Sequence, residues 1–122
     1  MGEKHDWDQV AELERRLARD GRVAFSPEVT VLLRRVARQV VIPDVEVEQA
    51  LATPEGGVRL VREVRRRIRE GSQRLMRAIS EANRRVEDGD LAGARECLEG
   101  VLAVEVVPLY RAHAEAELSH LE

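Results

Sequence analysis

A chain of 122 residues, 43% hydrophobic and 35% charged, is about one domain of material with enough aliphatic side chains to bury a core, which excludes a disordered polypeptide. A formal charge of −3 weighs against a nucleic-acid binder, and a single cysteine, Cys97, excludes an internal disulfide framework and a cysteine metal site. The only aromatics are Trp7, Phe25 and Tyr110, so the core is aliphatic, the kind that fills seams between helices.

The first helix is expected from Asp6-Trp7-Asp8, whose acids suit a helix N-terminus, to Asp20-Gly21, with Trp7, Val10, Leu13 or Glu14, and Leu17 on one face. Arg22-Val23-Ala24-Phe25 reads as a linker whose Phe25 enters the core. Ser26-Pro27-Glu28 then gives an N-cap, a proline at the first helical position and an acid, starting a helix to about Val41 that buries Val29, Leu32, Leu33, Val36 and Val40. Ile42-Pro43-Asp44 ends it, with Asp44 expected to cap a short third helix, Val45 to Ala52, through its carboxylate.

Thr53-Pro54-Glu55 repeats the start signal and opens the longest element. From it, Val61, Val64, Ile68, Gly71, Leu75, Ala78, Ala82 and Val86 recur at three and four residues without a phase change, which favours one amphipathic helix to Glu87 over the alternative, a kink or a break into two helices at Gly71-Ser72. Gly56-Gly57 should weaken its first turn, and Gly71, on the seam, allows close approach of another backbone. Asp88-Gly89-Asp90 is a tight turn, Gly89 taking the left-handed conformation and Asp90 capping the last helix. That helix carries Leu91, Ala94, Leu98, Val101, Leu102, Leu109, Ala112 and Ala116, with Pro108 imposing a kink or a restart near Val106 to Tyr110.

The expected fold is therefore all-α, a single helical domain over 1–122. Three short helices in 6–52 pack across a long antiparallel helical hairpin in 53–121, which turns at 88–90. Charge is segregated along it: Arg and Lys against Asp and Glu number 8 and 11 in residues 1–57, 10 and 3 in 58–85, and 2 and 9 in 86–122. A basic helix followed by an acidic one matches an antiparallel pair.

Residues 78–106, with Ala78, Ala82, Gly89-Asp90-Leu91, Ala94, Leu98 and Val101-Leu102, resemble one tetratricopeptide repeat. Glu81 stands at an apolar position of that repeat, Pro108 lies two residues beyond its proline, and there is one copy where at least three usually stack, so the likeness implies a helical hairpin and not a solenoid. Over nearly the whole chain, Trp7-Asp8, Val31-Leu32-Leu33-Arg34-Arg35-Val36-Ala37, Ile68-Arg69-Glu70-Gly71-Ser72-Gln73-Arg74-Leu75, Gly89-Asp90-Leu91-Ala92-Gly93-Ala94-Arg95 and Val101-Leu102-Ala103-Val104-Glu105-Val106-Val107-Pro108-Leu109-Tyr110-Arg111 are similar to the DUSAM domain family. That family comprises small paralogous myxobacterial proteins of unassigned function. The resemblance implies a solo domain of lineage-specific use and no catalytic residues.

Arg59, Arg62, Arg66 and Arg69 form a stripe on the long helix. Such a stripe can track phosphates or an acidic protein. No aromatic is near to stack bases, and Glu63-Arg67 and Glu70-Arg74 at four-residue spacing mark the adjacent face as salt-bridged surface. A DNA-reading helix-turn-helix in 27–52 fails because Glu46 and Glu48 stand where basic or amide side chains are needed. Glu105, within an apolar run, needs a partner: an Arg of the long helix in a structural ion pair, or a polar interface shared with Tyr110. Glu117-Leu118-Ser119-His120 has the spacing of a di-metal bundle, but it occurs once where two such motifs are needed, and reads as a polar tail.

No nucleophile, cofactor or metal motif is present, so the expectation is a non-enzymatic protein-interaction module, an adaptor or regulator binding a protein partner or itself. An immunity-like inhibitor of one protein is the alternative, ahead of nucleic-acid binding or an enzyme. Gly2 precedes Asp6, where a myristoylation motif needs Ser or Thr, and no apolar run of about 18 residues exists, so a cytoplasmic protein without membrane attachment is expected.

Overall fold

The computed structural model describes Glu3–Leu121, and the side chains from His5 onward. It is all-α. Six helices run in order, α1 (Glu3–Asp20), α2 (Pro27–Gln39), α3 (Asp44–Leu51), α4 (Pro54–Glu87), α5 (Leu91–Val104) and α6 (Pro108–His120), with no strand among the described residues. The chain forms two compact units, one up to Arg67 and one from Ile68, each receiving part of α4.

In the first unit, Trp7, Val10, Leu13 and Leu17 of α1 are buried with Leu33, Val36 and Ala37 of α2, Val47 of α3, and Leu60, Val61 and Val64 of α4. Each fully buried Leu or Val contributes on the order of 1.5–3 kcal/mol. The expected start signals work as capping groups: Ser26 Oγ accepts from the Val29 amide at 3.3 Å and Thr53 Oγ1 from the Gly56 amide at 3.0 Å. Asp44 behaves differently from expectation. Pro43 is the cap position of α3, without a side-chain bond, and the Asp44 carboxylate takes the Arg38 guanidinium instead, at 3.1 and 3.4 Å.

The arginines of α2 tie it to both neighbours. Arg34 grips Glu48 of α3 at 2.8 and 3.0 Å, and Arg35 grips Asp6 of α1 at 2.8 and 3.1 Å. Asp6 is buried; it also accepts from Gln39 at 3.2 Å, whose amide oxygen takes the Trp7 indole N–H at 2.8 Å. Asp6 is therefore a core ion-pair residue, and α1 begins ahead of it at Glu3.

α2 closes in a Schellman motif: the Ile42 amide donates to Ala37 O at 2.8 Å and the Val41 amide to Arg38 O at 3.1 Å. The residue in the left-handed position is Val41, φ 65°, where glycine is usual. Arg67 of α4 donates to the carbonyls of Val40 and Val41 at 3.0 and 2.9 Å, holding that strained end. Gly56 and Gly57 serve close packing more than they weaken α4: a Cβ on Gly56 would stand 2.1 Å from Ala50 O, and one on Gly57 2.6 Å from the half-buried Phe25 ring.

In the second unit α4 runs through Gly71-Ser72 as uninterrupted helix. Its end repeats the Schellman geometry with the expected glycine: Asp90 N donates to Arg85 O at 2.8 Å, Gly89 N to Val86 O at 3.0 Å, and Gly89 has φ 80°. Asp90 caps α5 by accepting from the Gly93 amide at 2.8 Å. α5 returns alongside α4, packing Ala94 and Leu98 on Ala82.

The restart expected near Pro108 is a chain reversal. α5 ends at Val104, residues 105–107 are non-helical, and α6 runs back with Tyr110 against Gly71 and with Leu118 and Leu121 against the Ala82 cluster. The second arm of the hairpin is thus two antiparallel helices. The break also resets the apolar phase. Leu109, Ala112 and Ala116, placed inside by a phase carried across Pro108, are exposed, while Tyr110 and Ala114 are buried and Leu118 half-buried.

Candidate functional site

The corner between α5 and α6 is built around Glu105, whose side chain is 2% exposed. Its backbone is extended, φ −74° and ψ 133°, and its amide still closes the last turn of α5 on Val101 O at 2.8 Å. That geometry turns the carboxylate inward. Oε1 receives Arg74 Nη1 of α4 at 2.6 Å; Oε2 accepts from the amides of Val106 and Val107 at 3.1 and 3.0 Å.

Two residues of the first turn of α6 complete the corner. Tyr110 O–H donates to Ile68 O at 2.9 Å, and its ring lies over Gly71. Arg111 Nη1 donates to Leu102 O at 2.7 Å and Glu105 O at 2.8 Å, capping carbonyls left open at the end of α5. With Glu105 and Tyr110 thus fixed inside, the flanking apolar residues face outward: Val104, Val106 and Leu109 are 61%, 51% and 43% exposed.

Of the sequence-derived candidates, the structure brings Glu105 and Tyr110 together within the second unit, both beside Gly71. Arg59, Arg62, Arg66 and Arg69 are all exposed on α4. Arg66 and Arg67 share Glu63, at 2.5 and 2.8 Å, which pulls the Glu63 carboxyl down to about 2, the Arg66 hydrogen bond being the largest cause. Arg74, expected to pair with Glu70, reaches Glu105 instead. Sequence reasoning did not single out Arg74, Arg111 or Gly71 with Tyr110 as one cluster; the spacing from Pro108 back to Glu105 was the available signal that the connector folds on itself.

Chemically, the corner has an acceptor and donors that are already consumed by one another. That is the arrangement of a structural anchor, not of a general base facing a substrate. Elsewhere on α6, Glu117 lies 3.6 Å from His113 Nε2 and 3.9 Å from His120 Nδ1. Among the described residues no group of three or more His, Cys, Asp or Glu is placed to hold a metal ion, and no helix is long and apolar enough to cross a membrane.

Comparison with known proteins finds no matching curated protein and no matching solved structure. A family model, by contrast, matches residues 5–121, from within α1 to just past the end of α6, and the chain belongs to that family, a protein family of unknown function designated DUF2379.

Proposed function

We propose that the protein is a non-enzymatic protein-interaction module, a small adaptor or regulator that binds another protein or a second copy of itself. The observation that supports this reading is the corner. Val104, Val106 and Leu109 project outward from a connector whose backbone is fixed by a buried ion pair and by Arg111. Exposed apolar side chains held on a rigid backbone lose little entropy on binding, which favours them as contact residues. Arg59, Arg62 and Arg66 in the first unit and Arg69 in the second are exposed cations, each suited to an acidic protein. In this reading the protein carries a DUSAM-type domain and acts in the cytoplasm.

Co-purification from the native host tests the proposal, comparing the wild type with a Val104→Asp/Val106→Asp variant. Self-association or several weak partners, lost in the variant at unchanged melting temperature, supports the adaptor. One tight stoichiometric partner supports the second reading, an immunity-like inhibitor. Turnover in a broad substrate screen, abolished by Glu105→Gln in a folded protein, would overturn both.

A further inference from the structure

We propose that the cavity at the end of the second unit farthest from the Glu105 corner is a binding site for a small aliphatic ammonium ion. Its floor is apolar, formed by Ile79, Ala82, Leu98 and Leu121, and its volume is about 140 Å³. That is several times the ~30 Å³ a water molecule takes in the liquid, and well below the ~300–1,000 Å³ of pockets for drug-sized ligands. A branched chain of a few carbons is the size it fits.

The rim sets the charge of the occupant. Glu117 lines the cavity beside Asn83 and His120. Its two imidazole neighbours, His113 and His120, stand 3.6 and 3.9 Å away, too far to consume its oxygens as hydrogen-bond acceptors. Two helix ends also converge here. Val86 belongs to the last turn of α4 and His120 to the last turn of α6, and a helix C-terminus carries roughly half a negative charge. The basic residues closest in sequence are turned to other acids: Arg84 and Arg85 bind Glu81, and Arg85 also binds Asp90. An apolar floor beneath the Glu117 carboxylate, beside the negative ends of two helix dipoles, selects an alkyl body with a cationic head, either a free amine or a lysine side chain of another protein.

The test is a methyl and amide NMR titration of the full chain near neutral pH at constant ionic strength. The probes are isopentylamine, its neutral isostere isopentanol, and N-acetyl-lysine amide. The amine is expected to shift Ala82, Leu98 and Leu121 saturably, at least about tenfold more tightly than the alcohol, and Glu117→Gln to remove that preference with the amide spectrum otherwise intact. Tighter binding of the lysine amide than of isopentylamine identifies a protein side chain as the source, and the reverse order a free metabolite. Equal binding of amine and alcohol, an unchanged preference in Glu117→Gln, or no saturable shift at these methyls overturns the proposal. None of these outcomes bears on Val104 or Val106, so the site and the interaction surface are judged separately.

Discussion

Gly71 and Tyr110 approach so closely that no side chain fits between them: a Cβ on Gly71 would lie 2.6 Å from Tyr110 Cδ2 and 2.9 Å from Glu105 Oε1. Gly71→Ala should therefore destabilise by about 1–3 kcal/mol through overpacking, despite alanine's better helix propensity. Gly100, inside α5 with nothing within 4 Å of its would-be Cβ, is the control, and Gly100→Ala should stabilise by up to about 1 kcal/mol. Urea denaturation of both variants checks the pair. Equal effects of the two substitutions would refute the close approach.

Val41 holds a left-handed conformation that costs a β-branched residue about 1–2 kcal/mol. Because the side chain is exposed, little packing is lost on truncation. Val41→Gly should raise stability by about 1 kcal/mol once the greater flexibility of unfolded glycine is subtracted. Arg67→Ala should act oppositely, since the carbonyls of Val40 and Val41 lose its hydrogen bonds. Thermal melts of the two variants moving in the same direction would contradict this account of the α2 end.

Acid should weaken the first unit through Glu63 and Asp6. Both carboxyls sit below their ordinary values, Glu63 from 4.5 to about 2 through Arg66 first, and Asp6 from 3.8 through Arg35 first. A carboxyl lowered by folding contributes stability that is fully present above its unfolded value and is lost as pH falls through the folded one. For Glu63 the window runs from 4.5 down to about 2. Denaturant unfolding between about pH 6 and about pH 3 should show a shallower loss in Glu63→Gln than in the wild type. Parallel slopes for the two proteins would exclude Glu63 as a contributor.

The helical class and the long α4 were legible because unbroken three- and four-residue spacing from Val61 to Ala82, with Ser26, Thr53 and Asp90 as caps, is local information. The carboxylate of Glu105 facing α4 was legible too, since an acid in an apolar run must find a partner. The illegible part depends on tertiary geometry. The phase of α6 could not be read past Pro108, because three non-helical residues rotate and reverse the chain, so Leu109 moved outside and Tyr110 inside. The partner of Arg74 is set by the same reversal, while the roles of Asp6 and Asp44 are set by the arginines that α2 happens to bring beside them.

Glu105 anchors the α5–α6 corner, and the most direct test of that role is the thermal melt of Glu105→Gln. Loss of a charge-assisted pair with Arg74, whose side chain is 35% exposed, should lower stability by about 1–3 kcal/mol, discounted from a fully buried pair, and the melting temperature by roughly 5–10 °C. Arg74→Ala should give a similar drop, and the double variant much less than the sum of the two. An unchanged melting temperature in Glu105→Gln, together with loss of a bound partner, would contradict the anchor and make Glu105 part of the interface itself.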